Sequence, residues 1–288
     1  MGKFDGVLLV SDIDGTLYGN DYRLKKENAE AIEYFKSEGG RFTLASGRSL
    51  KDVEEIGRPI CNTYFIGLNG TVIGNRNELL HGWQFGAELQ PILRKVATEF
   101  LQSDIEFVSD EGIFIYHANR FSEFHRSCVS DSVFECIEAL SDAPKRVRMM
   151  AFWMDTTEMD GFSHWFSANG FLKSVTGFKG FRHSYECVPL GCSKGAAASL
   201  LAEKLNAKLL VTAGDNGNDV AMLKAAELSF APKNASDEAK AAAKVLLSRD
   251  ADHAIMPEIV EKLENFLKKT EIHDSALLQT KQSGYNDS

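Results

Sequence analysis

Short apolar runs alternate with longer amphipathic stretches along much of this 288-residue chain. Val7-Leu8-Leu9-Val10, uninterrupted and mostly branched, reads as the interior strand of a parallel sheet, covered on both faces. Phe42-Thr43-Leu44-Ala45, Tyr64-Phe65-Ile66-Gly67-Leu68, Leu209-Leu210-Val211-Thr212 and Leu228-Ser229-Phe230-Ala231 read as further strands. Between them, residues 24–39, 50–58, 194–205 and 219–226 carry helical patterns. Such strand-helix alternation predicts an α/β fold built on a doubly wound parallel sheet. Residues 235–243 follow as an alanine-rich helix, 245–247 as an edge strand, and 257–268 as a closing helix with proline in its first turn. Residues 270–288 are polar and read as a loose tail.

The rhythm changes between residues 82 and 188. Helical stretches at 87–101, 121–128 and 158–169 alternate there with short strands, 105–108 paired with 113–116, and then 148–153. The pattern predicts a second, α+β domain, 82–188, inserted into a discontinuous larger domain made of 1–81 and 189–269. An insertion whose two ends return to one side of a sheet rides over that side, which places it as a lid.

Composition narrows the function. With 44% hydrophobic and 25% charged residues, the chain is an ordinary globular one with enough apolar material for a substantial core. Its formal charge of −9 argues against a sequence-independent grip on nucleic acid or on an anionic membrane, so the expected partner is a small molecule. No stretch approaches the roughly 18 apolar residues of a membrane span. The first apolar run is broken by Asp12 too soon for a signal peptide, and the expectation is a cytoplasmic protein. Cys61, Cys128, Cys136, Cys187 and Cys192 form no CxxC pair, which disfavours a disulfide framework and a structural zinc site.

Four loops at strand ends carry the candidate chemistry. Ser11 to Leu17, SDIDGTL, sets Asp12 and Asp14 where a buried strand spills into a tight turn, and ligands of open α/β sheets gather at such carboxyl ends. Like charges this close raise one another's pKa unless a cation intervenes. Gly15 permits a backbone conformation closed to other residues, and Thr16 adds a hydroxyl. The second loop, Ser46-Gly47-Arg48-Ser49, suits an anion at a helix N-terminus; Ser46 or Ser49 equally reads as a plain helix cap. The third places Lys194 in a first helical turn, against the helix dipole, which calls for an anionic neighbour. Gly214-Asp215-Asn216-Gly217-Asn218-Asp219 brings two more carboxylates. Parallel strands would gather these acids, and convergence without a cation would cost several kcal/mol for each. An all-oxygen set suits Mg²⁺.

These four motifs in this order resemble the haloacid dehalogenase superfamily of phosphatases: DxDGT at Asp12 to Thr16, the hydroxyl residue at Ser46, the lysine at Lys194, and GDxxND at Gly214 to Asp219. The placement of the insertion resembles a C2 cap. SerGlyArg, Leu68-Asn69-Gly70 and GluCysValProLeuGlyCysSerLysGly resemble the Cof-like, type IIB, sugar-phosphatase branch, and the likeness runs to about residue 268. It implies a Rossmann-like catalytic core and a phosphomonoesterase acting on a small phosphorylated metabolite, a sugar phosphate above all. Asp12 would be the nucleophile that becomes an aspartyl phosphate, and Asp14 the general acid and base. Asp12, the Asp14 carbonyl, Asp215 and Asp219 would hold Mg²⁺. Ser46 and Lys194 would bind phosphoryl oxygens, with Gly47 and Arg48 in the same loop, and Asn218 would support the site. Asn69 would touch substrate or phosphate, although Asn-Gly is also a favoured hairpin turn.

Specificity is expected in the insertion, since the four loops recognise only phosphate and metal. Glu186 matches an acidic position of the resembled family; Arg120, His125, Arg126, Arg146, Arg148, Lys173 and Arg182 are further candidates, most of them surface charges by default. Trp83, Trp153 and Trp165 could line a ring pocket or fill a core. Two competing readings stand beside the phosphatase: a phosphomutase, because relatives with such a cap move phosphoryl groups between sugar hydroxyls, and a receiver-type phospho-acceptor switch. Asp14 and the insertion count against the second.

Overall fold

The computed structural model describes residues 2–100, 104–128, 133–180 and 183–283. The chain opens with β1 (Val7–Ser11), α1 (Lys26–Ser37), β2 (Arg41–Leu44) and α2 (Leu50–Gly57). Three short strands follow, β3 (Phe65–Gly67), β4 (Val72–Asn75) and β5 (Glu78–Gly82). The middle of the chain holds α3 (Leu89–Glu99), β6 (Asp104–Ser109), β7 (Ile113–Tyr116), α4 (Arg120–Cys128), β8 (Phe134–Ile137), β9 (Val147–Trp153), α5 (Thr156–Ala168), β10 (Val175–Lys179) and β11 (Ser184–Pro189). It closes with α6 (Lys194–Lys204), β12 (Leu209–Ala213), α7 (Val220–Ala225), β13 (Leu228–Ala231), α8 (Asp237–Ala242), β14 (Val245–Leu246) and α9 (Met256–Ser283).

The first sheet runs β14-β13-β12-β1-β2, every pair parallel. Its centre explains the unbroken apolar run of β1. Val7 and Leu9 face a core with Ile32, Phe35 and Ile259, while Leu8 and Val10 face a second core with Ala197, Leu201 and Met222. With a side-chain period of two, both faces must be apolar. Ser11 pairs with Ala213 on one side and Leu44 on the other, so the loops after β1, β2 and β12 leave the sheet together. That register is what gathers the acids.

The strand expected around residues 64–68 forms as β3, but outside this sheet. It pairs antiparallel with β4, and β4 with β5; one parallel bridge, Ala45 to Ile66, ties it to the end of β2. The closing helix runs past the expected 268 as α9 to Ser283, into the segment expected to be a loose tail, and Phe266 and Leu267 pack against the core. No helix among the described residues is long and apolar enough to cross a membrane.

The second large sheet has the order β10-β11-β9-β6-β7-β8, antiparallel except where β7 meets β8. Its strands alternate cleanly. Ile105, Phe107, Met150, Phe152, Tyr185 and Cys187 pack with α3 and α5 residues such as Ile92, Val96, Phe162 and Phe166. The intervening residues Glu106, Val108, Met149, Ala151, Trp153 and Glu186 line a cavity shared with the loops of the parallel sheet.

Candidate active site

Asp12 continues β1 by one residue: its backbone N–H donates to the Ala213 carbonyl at 2.9 Å, which fixes the carboxylate beside the end of β12. Gly15 has φ +88°, and a Cβ there would stand 2.5 Å from Asp215 Oδ2. Both the backbone conformation and the close approach therefore demand glycine. Thr16 Oγ1 donates to Asp215 Oδ1 at 2.7 Å, so the first loop holds the fourth directly.

Lys194 starts α6 behind the Ser193 cap and is only 2% exposed. Its Nζ donates to Asp12 Oδ1 at 2.6 Å and to Asp219 Oδ1 at 2.7 Å. The other Asp219 oxygen accepts the backbone N–H groups of Asp215 and Asn216 at 2.9 and 3.0 Å. Asp219 thus ties lysine and loop together. Oxygens of Asp12, Asp215 and Asp219 lie within 4.8 Å of one another. Burial, opposed by Lys194 but reinforced by Asp219 and Asp215, pushes the Asp12 carboxyl well above the usual carboxylate range. Burial and then Asp219 push Asp215 up to about 6. Three carboxylates face one ammonium, an imbalance a hard cation would relieve, and the donors are all oxygens. The residues present fit Mg²⁺.

The carboxylate of Asp14 turns away from this cluster. Arg48 grips it with two bonds, Nε to Oδ2 at 2.7 Å and Nη2 to Oδ1 at 2.8 Å. Ser49 is the residue that caps α2, accepting the Asp52 N–H at 3.1 Å. Ser46 is spared that duty; it is buried and lines the cavity with Asp12 and Lys194.

Asn69 and Gly70 do lie in a hairpin connection, but in the four-residue loop between paired Gly67 of β3 and Val72 of β4 rather than in a two-residue turn, with Asn69 at φ 52° and 1% exposed. Asn69 Nδ2 donates to Glu186 Oε2 at 2.5 Å, and its Oδ1 accepts from Asn218 Nδ2 at 3.0 Å. A Cβ on Gly47 would approach Asn69 to 3.1 Å. Four predicted residues from four segments therefore form one row from the acidic loop to β11.

The cavity, about 720 Å³, is walled by these loops on one side and by the second sheet on the other. Of the predicted specificity residues, Glu186 and His125 line it. Arg120 is exposed and pairs with Asp155, Arg148 pairs with Asp110, and Arg126, Arg146 and Lys173 are exposed away from it. Arg182 lies outside the described residues. Trp153 lines the cavity, whereas Trp165 packs among Phe100, Phe162 and Phe171. Glu106 was not foreseen. The signal available was an acid on one face of an otherwise apolar strand, Ile105-Glu106-Phe107-Val108.

Comparison with known proteins bears on this arrangement. The profile of the haloacid dehalogenase-like hydrolase family matches residues 9–259. The phosphatase YwpJ of Bacillus subtilis is 24% identical over 288 aligned positions, covering 86% of this chain and 96% of the relative. Among solved structures, SMU.1108c of Streptococcus mutans superposes with a TM-score of 0.78 at 21% identity, over 89% of this chain and 98% of that one. The subclass IIB sugar phosphatase BT4131 superposes at 0.73 and 20% identity, over 90% and 98%.

Proposed function

The chain belongs to the haloacid dehalogenase-like hydrolase family and is a phosphatase; from that premise we propose a Mg²⁺-dependent phosphomonoesterase that works on a small phosphorylated metabolite, a sugar phosphate, through an aspartyl phosphate on Asp12. Residues 82–188 are taken as the inserted domain that carries specificity. The observation that carries the reading is the buried bridge of Lys194 between Asp12 and Asp219, with Asp215 alongside.

In the first half-reaction an Asp12 oxygen attacks phosphorus and the bond to the leaving oxygen breaks; Asp14 supplies the proton that the alkoxide takes. In the second, Asp14 removes a proton from the water that attacks the aspartyl phosphate. Lys194 holds Asp12 in one orientation, and with Ser46 it receives phosphoryl oxygens. Arg48 occupies both Asp14 oxygens, so proton transfer through Asp14 requires that pair to open. Asp12 and Asp215, with the Asp14 carbonyl, would hold Mg²⁺, while Asp219 anchors the lysine and the loop. Bound there, the ion would screen nucleophile from phosphate and neutralise charge on the transferring group.

Asp12→Asn tests the assignment. It keeps an oxygen for Lys194, so the thermal midpoint should hold, while release of inorganic phosphate from p-nitrophenyl phosphate, with no bisphosphate activator present, should fall at least about 10³-fold. Activity near wild type would refute the nucleophile.

A further inference from the structure

Three residues lie in one row across the cavity face of the second sheet. Glu106 on β6 pairs with Ala151 on β9, and Ala151 pairs with Glu186 on β11. Adjacent strands stand about 4.8 Å apart, so the two glutamate backbones are about 10 Å apart with the smallest chiral side chain between them. The result is a recess floored by Ala151 and flanked by two carboxylates. Trp153, two residues along β9, and His125 from α4 stack at 4.8 Å between ring centroids beside it.

The two carboxylates differ in one respect. Both Glu186 oxygens are engaged, Oε1 by Ser184 Oγ at 2.9 Å and Oε2 by Asn69 at 2.5 Å. Glu106 is fully buried, and its Oε2 accepts from two donors, His125 Nδ1 at 2.9 Å and Trp153 Nε1 at 3.0 Å. Oε1 meets no donor. A buried acceptor left unmet is costly, and because Glu106 lines the cavity, a donor seated there can meet it.

We infer that this recess receives the organic half of the substrate and that Glu106 is its specificity-determining acceptor, selecting phosphate monoesters whose leaving group presents a hydroxyl or amine donor over those presenting a carboxylate or second phosphate. The inference rests on the phosphatase reading above. An acid-bearing group would meet two carboxylates in the recess. A leaving group without a donor would leave Oε1 unmet, and sites built to bond a donor reject analogues lacking it strongly.

The test is a panel of kcat/KM values. Glucose 6-phosphate and glucosamine 6-phosphate supply hydroxyl and ammonium donors, 3-phosphoglycerate supplies an acid, and methyl phosphate supplies neither. Wild type should favour a donor-bearing ester over 3-phosphoglycerate at least tenfold. Glu106→Gln keeps its oxygen for His125 and Trp153 and presents NH₂ instead, so that ratio should fall at least tenfold, chiefly through KM. Ala151→Leu fills the recess and should lower the glucose 6-phosphate to methyl phosphate ratio by a similar factor. A ratio below one in wild type, or one that neither variant moves, overturns the inference. Should wild type release phosphate from no ester, the phosphatase reading fails instead. Calorimetric binding of glucose 6-phosphate to Asp12→Asn, with and without Glu106→Gln, then decides the subsite: Glu106-dependent binding upholds it, and equal binding or none overturns it.

Discussion

Asp104→Asn should make the protein more stable in neutral and alkaline solution and leave it unchanged in acid. Asp104 opens β6 with no exposed surface. One carboxylate oxygen accepts the Asn119 N–H at 3.0 Å, and the other has no partner among the described residues. Burial, only partly offset by the Ser122 and Asn119 hydrogen bonds, pushes its pKa from 3.8 up to about 7. At about 1.4 kcal/mol for each tenfold change in proton affinity, that gap is worth about 4 kcal/mol. The folded state holds the proton more tightly than the unfolded chain, so this stabilisation is complete below about pH 4 and drains away as pH rises to about 7. Asparagine keeps the oxygen that Asn119 needs and never ionises. For a chain of this size about 2–4 °C accompanies each kcal/mol, so the variant should melt about 10 °C above wild type at pH 8 and level with it near pH 4. Thermal unfolding followed by circular dichroism between pH 4 and pH 8.5 reads the difference. A gap that is constant with pH, or that widens toward acid, would refute the argument.

Lys194→Met should destabilise the fold by about 3–5 kcal/mol at pH 7, because two buried carboxylates lose their shared cation, and should drop kcat at least about 10²-fold; a melting point within 2 °C of wild type would contradict this. Gly15→Ala should cost about 1–2 kcal/mol for the left-handed backbone and more from the Asp215 contact, with both midpoint and phosphate release falling, and an active, equally stable variant would show that the loop tolerates a side chain. Millimolar Mg²⁺ should raise the melting temperature of wild type but not of Asp215→Asn, and EDTA should stop turnover reversibly; phosphate release that survives thorough chelation would end the metal argument.

The sequence alone determined the parallel sheet and the meeting of its loops. Runs such as Val7 to Val10 have no polar face, so they must be covered on both sides, and parallel strands send their carboxyl ends to one edge. That made the neighbourhood of Asp12 and Asp215 legible from positions 200 residues apart. Weakly patterned strands were not legible: β8 buries one of its four residues, and β10 one of its five, so their pairing comes from neighbours rather than from their own composition. Only the tertiary structure decided which serine caps α2, that Asn69 in the β3–β4 hairpin loop bonds across to Glu186, and that Arg48 holds Asp14. Glu106 is the clearest case. Alternation along Ile105 to Val108 says that the strand has two faces, but the face bearing an acid looks solvated until the loops of another sheet cover it. Periodicity is a local property, whereas burial of a polar face depends on what the chain brings against it from far away.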